Sequence, residues 1–386
     1  MNKKLSIIIG GDIVPTKSNL QYFESGNIES IIDKDIREIL SNADIRIFNI
    51  ETPICDERTP IEKEGPCFST SRKSVNGIKA LNPTLVTLAN NHILDQGLSG
   101  LKSTIEILNK KKISFTGIGK NYIDANKAFY IEKNGLRIGI YGCTEHEYSV
   151  ATNKFPGATP FEALDIVDTI REIKTSCDCL IILYHGGKEY YEYPSPELQK
   201  RCHKMIKAGA DFIICQHSHC IGTLENYMNG KILYGQGNFI LDRYIKAYEK
   251  YFQSSLLVRI DICEGEFNWE MIPIKKEGCG IRIASNEEAK IILEDMHIRK
   301  LQITDVDFVE KKYKEYVNAV AFRWIIRLSR FGYIVSFIDN KFLKGTLLNR
   351  DLKRILGKHQ RLAIENCLQC EVHNEILRAY LQNRRM

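Results

Sequence analysis

The sequence predicts a layered α/β domain followed by an all-helical module, and three features lead there. Through about residue 240, short apolar runs rich in β-branched residues alternate with segments of helical period. An antiparallel pair of strands is then expected at 254–262 and 266–274, turning at Glu264-Gly265. Beyond about Ile281 the strand signal stops and helical periodicity continues alone. The 386 residues suit one large α/β domain, 1–280, plus an appendage, 281–386. With 44% hydrophobic and 26% charged residues the chain can bury a core, which excludes global disorder.

Each element has its own signal. Residues 5–10, 44–50, 84–89, 136–142, 180–184 and 212–215 are brief and apolar, as strands buried on both faces should be. Between them, 28–40, 98–110, 161–175 and 196–208 repeat with helical period. Ser195-Pro196 with Glu197 behind it is an N-terminal signal for the last of these. Helices are expected again at 287–299, 307–329 and 349–385, with Trp324 and Phe331 set among basic residues in 323–333.

Charge is unevenly placed. From Ile281 onward 20 Lys and Arg face 13 Asp and Glu, whereas the rest of the chain has 34 against 35. A basic helical tail suits an anionic surface such as a membrane or an acidic polymer, and an ordinary solvated face is the plainer alternative. Nucleic acid is not the expected partner. Lys3-Lys4 before Leu5 resembles the start of a signal peptide, but the apolar run is only about five residues, against the roughly 7–15 of an h-region, and ends at Asp12. Together with 12 scattered cysteines, this makes the cytoplasm the expected compartment, with peripheral membrane contact as an option.

The chemistry-bearing residues sit where the predicted strands end. Asp12 follows the first strand, Glu51 the second and Asn90-Asn91-His92 the third. His185 closes the strand at 180–184, and His217-Ser218-His219 follows 212–215. Carboxyl ends of strands in such a sheet share one edge, where ligand sites gather. Carboxylate oxygen with imidazole nitrogen suits Zn, Mn or Fe, as one ion or two. Imidazoles two positions apart face the same way only if the backbone is extended there. Singly, each residue has a plainer reading: an Asp after a strand is commonly a cap, and Asn-Asn a turn. Their recurrence at strand ends is what favours a metal site.

These residues also carry a resemblance. Gly11-Asp12-Ile13, Asn49-Ile50-Glu51, Leu88-Ala89-Asn90-Asn91-His92-Ile93-Leu94-Asp95-Gln96-Gly97 and His185-Gly186-Gly187-Lys188-Glu189-Tyr190 resemble the CapA poly-γ-glutamate capsule proteins. So do Gly209-Ala210-Asp211, His217-Ser218-His219 and Tyr234-Gly235-Gln236-Gly237-Asn238-Phe239, in the same order, over roughly residues 5–275. The resemblance implies a calcineurin-like metallophosphatase fold, a four-layer α/β/β/α sandwich with the metal site at one edge. By position, Glu51 resembles the bridging carboxylate. Asn91, His185 and His217 resemble the other ligands of one metal, and Asp12 and His219 those of the second. His92 resembles the histidine that assists the leaving group, oriented by Asp95. Asn49, Asn238 and Arg72 are the expected substrate contacts.

The chain departs from that pattern in three places. Val14 stands where metallophosphatases carry a ligating His, which leaves one metal short of a ligand. Cys215-Gln216 replaces the residues that usually precede the His-x-His pair. Phe68-Ser69-Thr70 lacks the Arg of a Phe-Arg element, so that contact with an anion is either missing or moved to Arg72. Elsewhere, Gly117-Ile118-Gly119 has Tyr122 in place of a third glycine and is expected as a loop, and Cys367 with Cys370 lies inside a helical pattern.

The expectation is a metal-dependent hydrolase, with hydroxide attacking a phosphoester or amide-like bond while an envelope polymer is built or trimmed. Its substrate would be an anionic polymer or a phosphorylated small molecule, and the basic tail would meet a synthase or the membrane surface. The rivals are a non-catalytic assembly protein, which Val14 favours, and a cytoplasmic phosphatase unrelated to capsule.

Overall fold

A computed structural model of the chain describes residues 4–243, 245, 248–327, 357–370, 372–374 and 376–377. Two mixed sheets lie at its centre. The first joins β1 (Lys4–Val14), β2 (Ile45–Ile50), β3 (Leu85–Thr87), β4 (Phe115–Thr116), β13 (Asn238–Leu241), β14 (Ser254–Cys263), β15 (Glu266–Glu277) and β16 (Gly280–Ile283). Its order is β16-β15-β14-β1-β2-β3-β4, with β13 parallel to the far end of β1. The second joins β6 (Phe129–Lys133), β7 (Leu136–Thr144), β9 (Cys179–His185), β10 (Phe212–Gln216), β11 (Leu224–Tyr227) and β12 (Gly230–Leu233), in the order β11-β12-β10-β9-β7-β6. Gly117 turns the chain from β4 into β5 (Ile118–Gly119), which pairs with β8 (Gly157–Ala158).

Side-chain alternation along the strands builds three cores and hence four layers. Ile7 and Ile9 of β1 point inward to meet Ile181 and Leu183 of β9 and Ile214 of β10 between the sheets. Ile8 points outward, onto a core that holds Ile36, Leu40, Leu101 and Leu108 of the helices Lys34–Asn42 and Gly97–Lys110. On the other side Leu180, Ile182 and Ile213 pack against Ile170, Cys202 and Met205 of Ile166–Lys174 and Pro196–Ala208. Each such apolar side chain contributes about 1.5–3 kcal/mol when fully buried. The α/β/β/α sandwich is therefore the fold, as the sequence predicted.

Element boundaries follow local chemistry. Pro196–Ala208 starts where the Ser195 hydroxyl accepts from Leu198 N at 3.2 Å and stops at Gly209, whose φ of 123° a side chain would resist. The segment expected as one helix at 28–40 is a single 3₁₀ turn, Ile28–Ser30, followed by Lys34–Asn42 capped by Asp33. The β14–β15 hairpin pairs Cys263 with Glu266 across the expected Glu264-Gly265 turn.

Division of the chain by packing falls after Glu310 rather than at residue 280. Helix Asn286–Gln302 goes with the α/β body because Met296 is buried in the core between the sheets and Arg299 donates to the carbonyl of Gly222 at 3.2 Å. Ile291, Ile298 and Leu301 of the same helix are exposed, so its apolar residues mark no single face and its docking leaves little trace in the sequence. Within 311–386 the described structure is the latter part of Val306–Arg327, helix Lys358–Gln369 and a few residues beyond it. Residues 328–333 of the aromatic-basic stretch, and much of the helix expected at 349–385, lie outside the described residues. No described helix is long and apolar enough to cross a membrane.

Candidate metal centre

The strand ends converge as their positions in the sequence imply. β1 carries Asp12 past a pair of glycines that the local packing requires. A Cβ on Gly11 would stand 2.3 Å from the Gly237 carbonyl, and one on Gly10 2.5 Å from the Phe48 ring. That close approach lets β1 pair with β13 and bulge against β2 between Ile9 and Asp12. Asp12 ends opposite both Asn49 and Asn238. Glu51 lies one residue beyond β2, and His185 is the last residue of β9.

Two ligand triplets that overlap at Glu51 result, and a third, Glu145, Glu147 and His217, shares His217 with the first. Glu51, His185 and His217 place a donor atom each within 4.8 Å of one another, and so do Asp12, Glu51 and His219. All five are buried. The amide oxygen of Asn91 lies 3.0 Å from His185 Nε2 and adjoins the first triplet. His217 and His219 are not on extended backbone: their φ angles are 78° and 53°, both left-handed. Such a conformation costs a non-glycine residue on the order of 1–3 kcal/mol, and strain of this kind concentrates at functional sites. It separates the two rings by 6.0 Å and assigns one to each triplet that holds Glu51.

Electrostatically the cluster is unfinished. Both Glu51 carboxylate oxygens and His217 Nδ1 are buried without a hydrogen-bond partner. His185 Nε2 is 3.3 Å from Glu51 Oε1, close enough for attraction between charges. Burial alone would raise Glu51, but His185, His219 and His92 outweigh it and hold the carboxyl well below its ordinary range. Burial and the neighbouring Glu51 push Asp12 upward, against His185 and His219. Burial would lower His217, yet Glu145, Glu189, Glu51 and Glu147 together raise it. Buried, unpaired oxygens and nitrogens that sit among mutually opposed charges fit a divalent cation, and the mixed O/N donor set suits Zn, Mn or Fe better than Ca.

Around the triplets, Asn49 and Asn238 have their amides engaged with the cluster itself. Asn49 Nδ2 donates to Asp12 Oδ1 at 2.6 Å and lies 3.2 Å from His185 Nδ1. Asn238 Oδ1 is 2.8 Å from His219 Nδ1, which leaves the other ring nitrogen for the second triplet. Arg72 is not brought to the cluster. Its guanidinium is held by Glu106, at 3.0 and 3.2 Å, and by Ser103. Val14 is buried with Leu241 and Phe252, an apolar contact where a ligand was expected to be missing.

His92 lies beside this cluster with its Nδ1 2.5 Å from Asp95 Oδ2. Lys63, Glu145 and Glu147 were not anticipated, nor was the contact that Phe68 makes. Lys63, with a side chain only 2% exposed, donates to Asp95 Oδ1 at 2.5 Å and stands 3.3 Å from His92 Nδ1. Phe68 stacks on His92 at 4.1 Å, and its backbone N–H bonds Asp95. Glu145 reaches to 3.5 Å from His217, and Glu147 accepts from Asn91 Nδ2 at 3.1 Å. Lys63 sits in a loop with no periodic pattern, so only its contacts identify it.

Comparison with known proteins places this arrangement. The model of the family described as bacterial capsule synthesis protein PGA_cap matches residues 6–243. Capsule biosynthesis protein CapA of Bacillus anthracis is 28% identical over 251 residues, 63% of this chain and 61% of its own length. PGA biosynthesis protein CapA of Bacillus subtilis is 28% identical over 243 residues, 62% of this chain and 64% of its own. The match thus spans less than two thirds of either relative. A solved structure described as a novel phosphatase from Mycoplasma pneumoniae aligns with a TM-score of 0.45 at 15% identity, covering 72% of this chain and 95% of its own.

Proposed function

The chain belongs to the bacterial capsule synthesis family, and from that premise we propose that it is a metal-dependent hydrolase acting in the making of an envelope polymer such as poly-γ-glutamate. The observation that carries the reading is Glu51, buried with neither oxygen hydrogen-bonded, the His185 imidazole beside it, and common to two ligand triplets. An acid kept in that state has no structural use; a bridging ligand does. Glu51, His185, His217 and Asn91 would hold one ion, and Asp12, Glu51 and His219 a second. Such ions supply Lewis acidity and a water acidic enough to react near neutral pH.

The protein's own residues do the rest. Asn49 and Asn238 hold Asp12, His185 and His219 in orientation. Asp95 occupies Nδ1 of His92, so Nε2 is the nitrogen left to carry a proton to a leaving oxygen or nitrogen. Lys63 and the Phe68 N–H both bind Asp95, and stacking by Phe68 fixes the plane of the His92 ring. A scaffold without chemistry has no need of a proton carrier secured from three sides, which favours the enzyme over a purely assembling role. The bond cleaved is a phosphoester or an amide of γ-glutamyl type, and a synthase or polymer is the partner.

The test is metal analysis of purified protein beside His217→Ala, with phosphodiester and γ-glutamyl substrates assayed on both. We expect one to two equivalents of Mn, Zn or Fe, with the variant losing metal and hydrolysis together. Wild type that takes up no added metal and cleaves neither substrate would overturn the proposal.

A further inference from the structure

Arg243 follows β13, the strand that places Asn238 against His219, and its guanidinium lies 5.8 Å from the Phe68 ring centre. Phe68 in turn stacks on His92. Arg243, Phe68 and His92 therefore form a stack that runs outward from the proton-carrying imidazole. Tyr190 is near enough for Arg243 to act on its hydroxyl electrostatically, and Tyr190 stacks on Tyr248 at 4.0 Å.

Among the described residues no carboxylate pairs with this guanidinium, whereas several others on the body have one. Arg72 binds Glu106, Arg201 binds Glu197, Arg259 binds Glu270, Arg282 binds Glu288 and Arg299 binds Asp295. The acid next to Arg243 in sequence, Asp242, is committed to Lys276 and Ser18. A half-buried guanidinium lying against an aromatic ring has shed part of its water, and with no partner among the described residues its donor fork suits an oxyanion, carboxylate or phosphate. The contact with an anion that Arg72 was expected to make is thus available from a different part of the chain.

We propose that Arg243 binds an oxyanion of the substrate one step out from the scissile bond, a side carboxylate of a γ-linked chain or a phosphate, while the ring of Phe68 sets its plane. This rests on the hydrolase reading for its orientation beside His92, but the binding can be measured separately. The experiment is titration calorimetry of the full-length protein, wild type, Arg243→Ala and Arg243→Lys, with a γ-linked glutamate pentamer, the same pentamer with its side carboxylates amidated, and inorganic phosphate.

Arg243→Ala should weaken binding of the acidic pentamer by about 10- to 100-fold, Arg243→Lys by less, and the amidated pentamer should bind all three proteins equally weakly. If phosphate rather than the pentamer shows that dependence, the oxyanion is a phosphate. Equal affinity of wild type and Arg243→Ala for both anions, or equal loss on the acidic and amidated pentamers, would overturn the proposal. Melting temperature and metal content of the variants separate a folding defect from a binding one. Binding that depends on Arg243 in a protein without turnover would sink the hydrolase reading and leave this one standing.

Discussion

The two halves of the metal centre share Glu51 and differ in nearly everything else. His185 and His217 come from the ends of two paired strands of the second sheet, and Asn91 adjoins them from the loop after β3. Asp12 and His219 come from a bulged strand and a left-handed turn, and beside them Val14 faces Leu241 and Phe252. One half has two imidazoles with the Asn91 amide oxygen beside them; the other has one imidazole, a carboxylate pushed upward by burial and by Glu51, and the apolar Val14 nearby. On the reading proposed above, a shared carboxylate would serve two ions of unequal affinity, and we expect an ion at His185 and His217 to be held more tightly.

Removing what the halves share should have the largest effect. Glu51→Gln should empty both halves and lower hydrolysis by at least ~10²-fold, beyond the loss that orienting residues alone produce. Plasma emission analysis would show it, with His219→Ala as the control that keeps one ion. One full equivalent retained by Glu51→Gln would mean that the halves do not depend on a common ligand.

Val14→His sharpens the asymmetry from the weak side. A second ion should bind about tenfold more tightly in calorimetry. The metal-free protein should lose about 1–3 kcal/mol, because an imidazole replaces a methyl pair packed on Leu241 and Phe252. Unchanged second-ion affinity would show that the weakness of this half lies elsewhere than in residue 14.

Asp12→Asn should act most gently, and on stability. In the metal-free protein the folded-state pKa of Asp12 is raised, first by burial and then by Glu51. Its favourable contribution is fully present below the ordinary aspartate range and lost as the pH rises through the raised value. The variant should therefore melt higher than wild type at pH 7 without metal, with the gap closing toward about pH 3.5. A gap that is constant with pH would assign the effect to packing.

The sequence by itself determined the alternation of strands and helices, and with it the layers, because period-2 and period-3.6 patterns record which faces are buried. It also determined which strand ends carry Asp12, Glu51, Asn91, His92, His185, His217 and His219, since an α/β sheet collects such ends at one edge. Tertiary structure alone decided the rest. Lys63 reaches Asp95 and His92 from a loop whose path no periodicity records, and Glu145 stands one residue past β7, a strand end the sequence reading passed over. Helix Asn286–Gln302 joins the body through Met296 and Arg299, though its sequence marks no apolar face. Asn49 and Asn238 turn to the cluster because a buried polar group takes the nearest partner that folding presents, and Arg72 meets Glu106 at the surface; both distances are set only once the chain has packed.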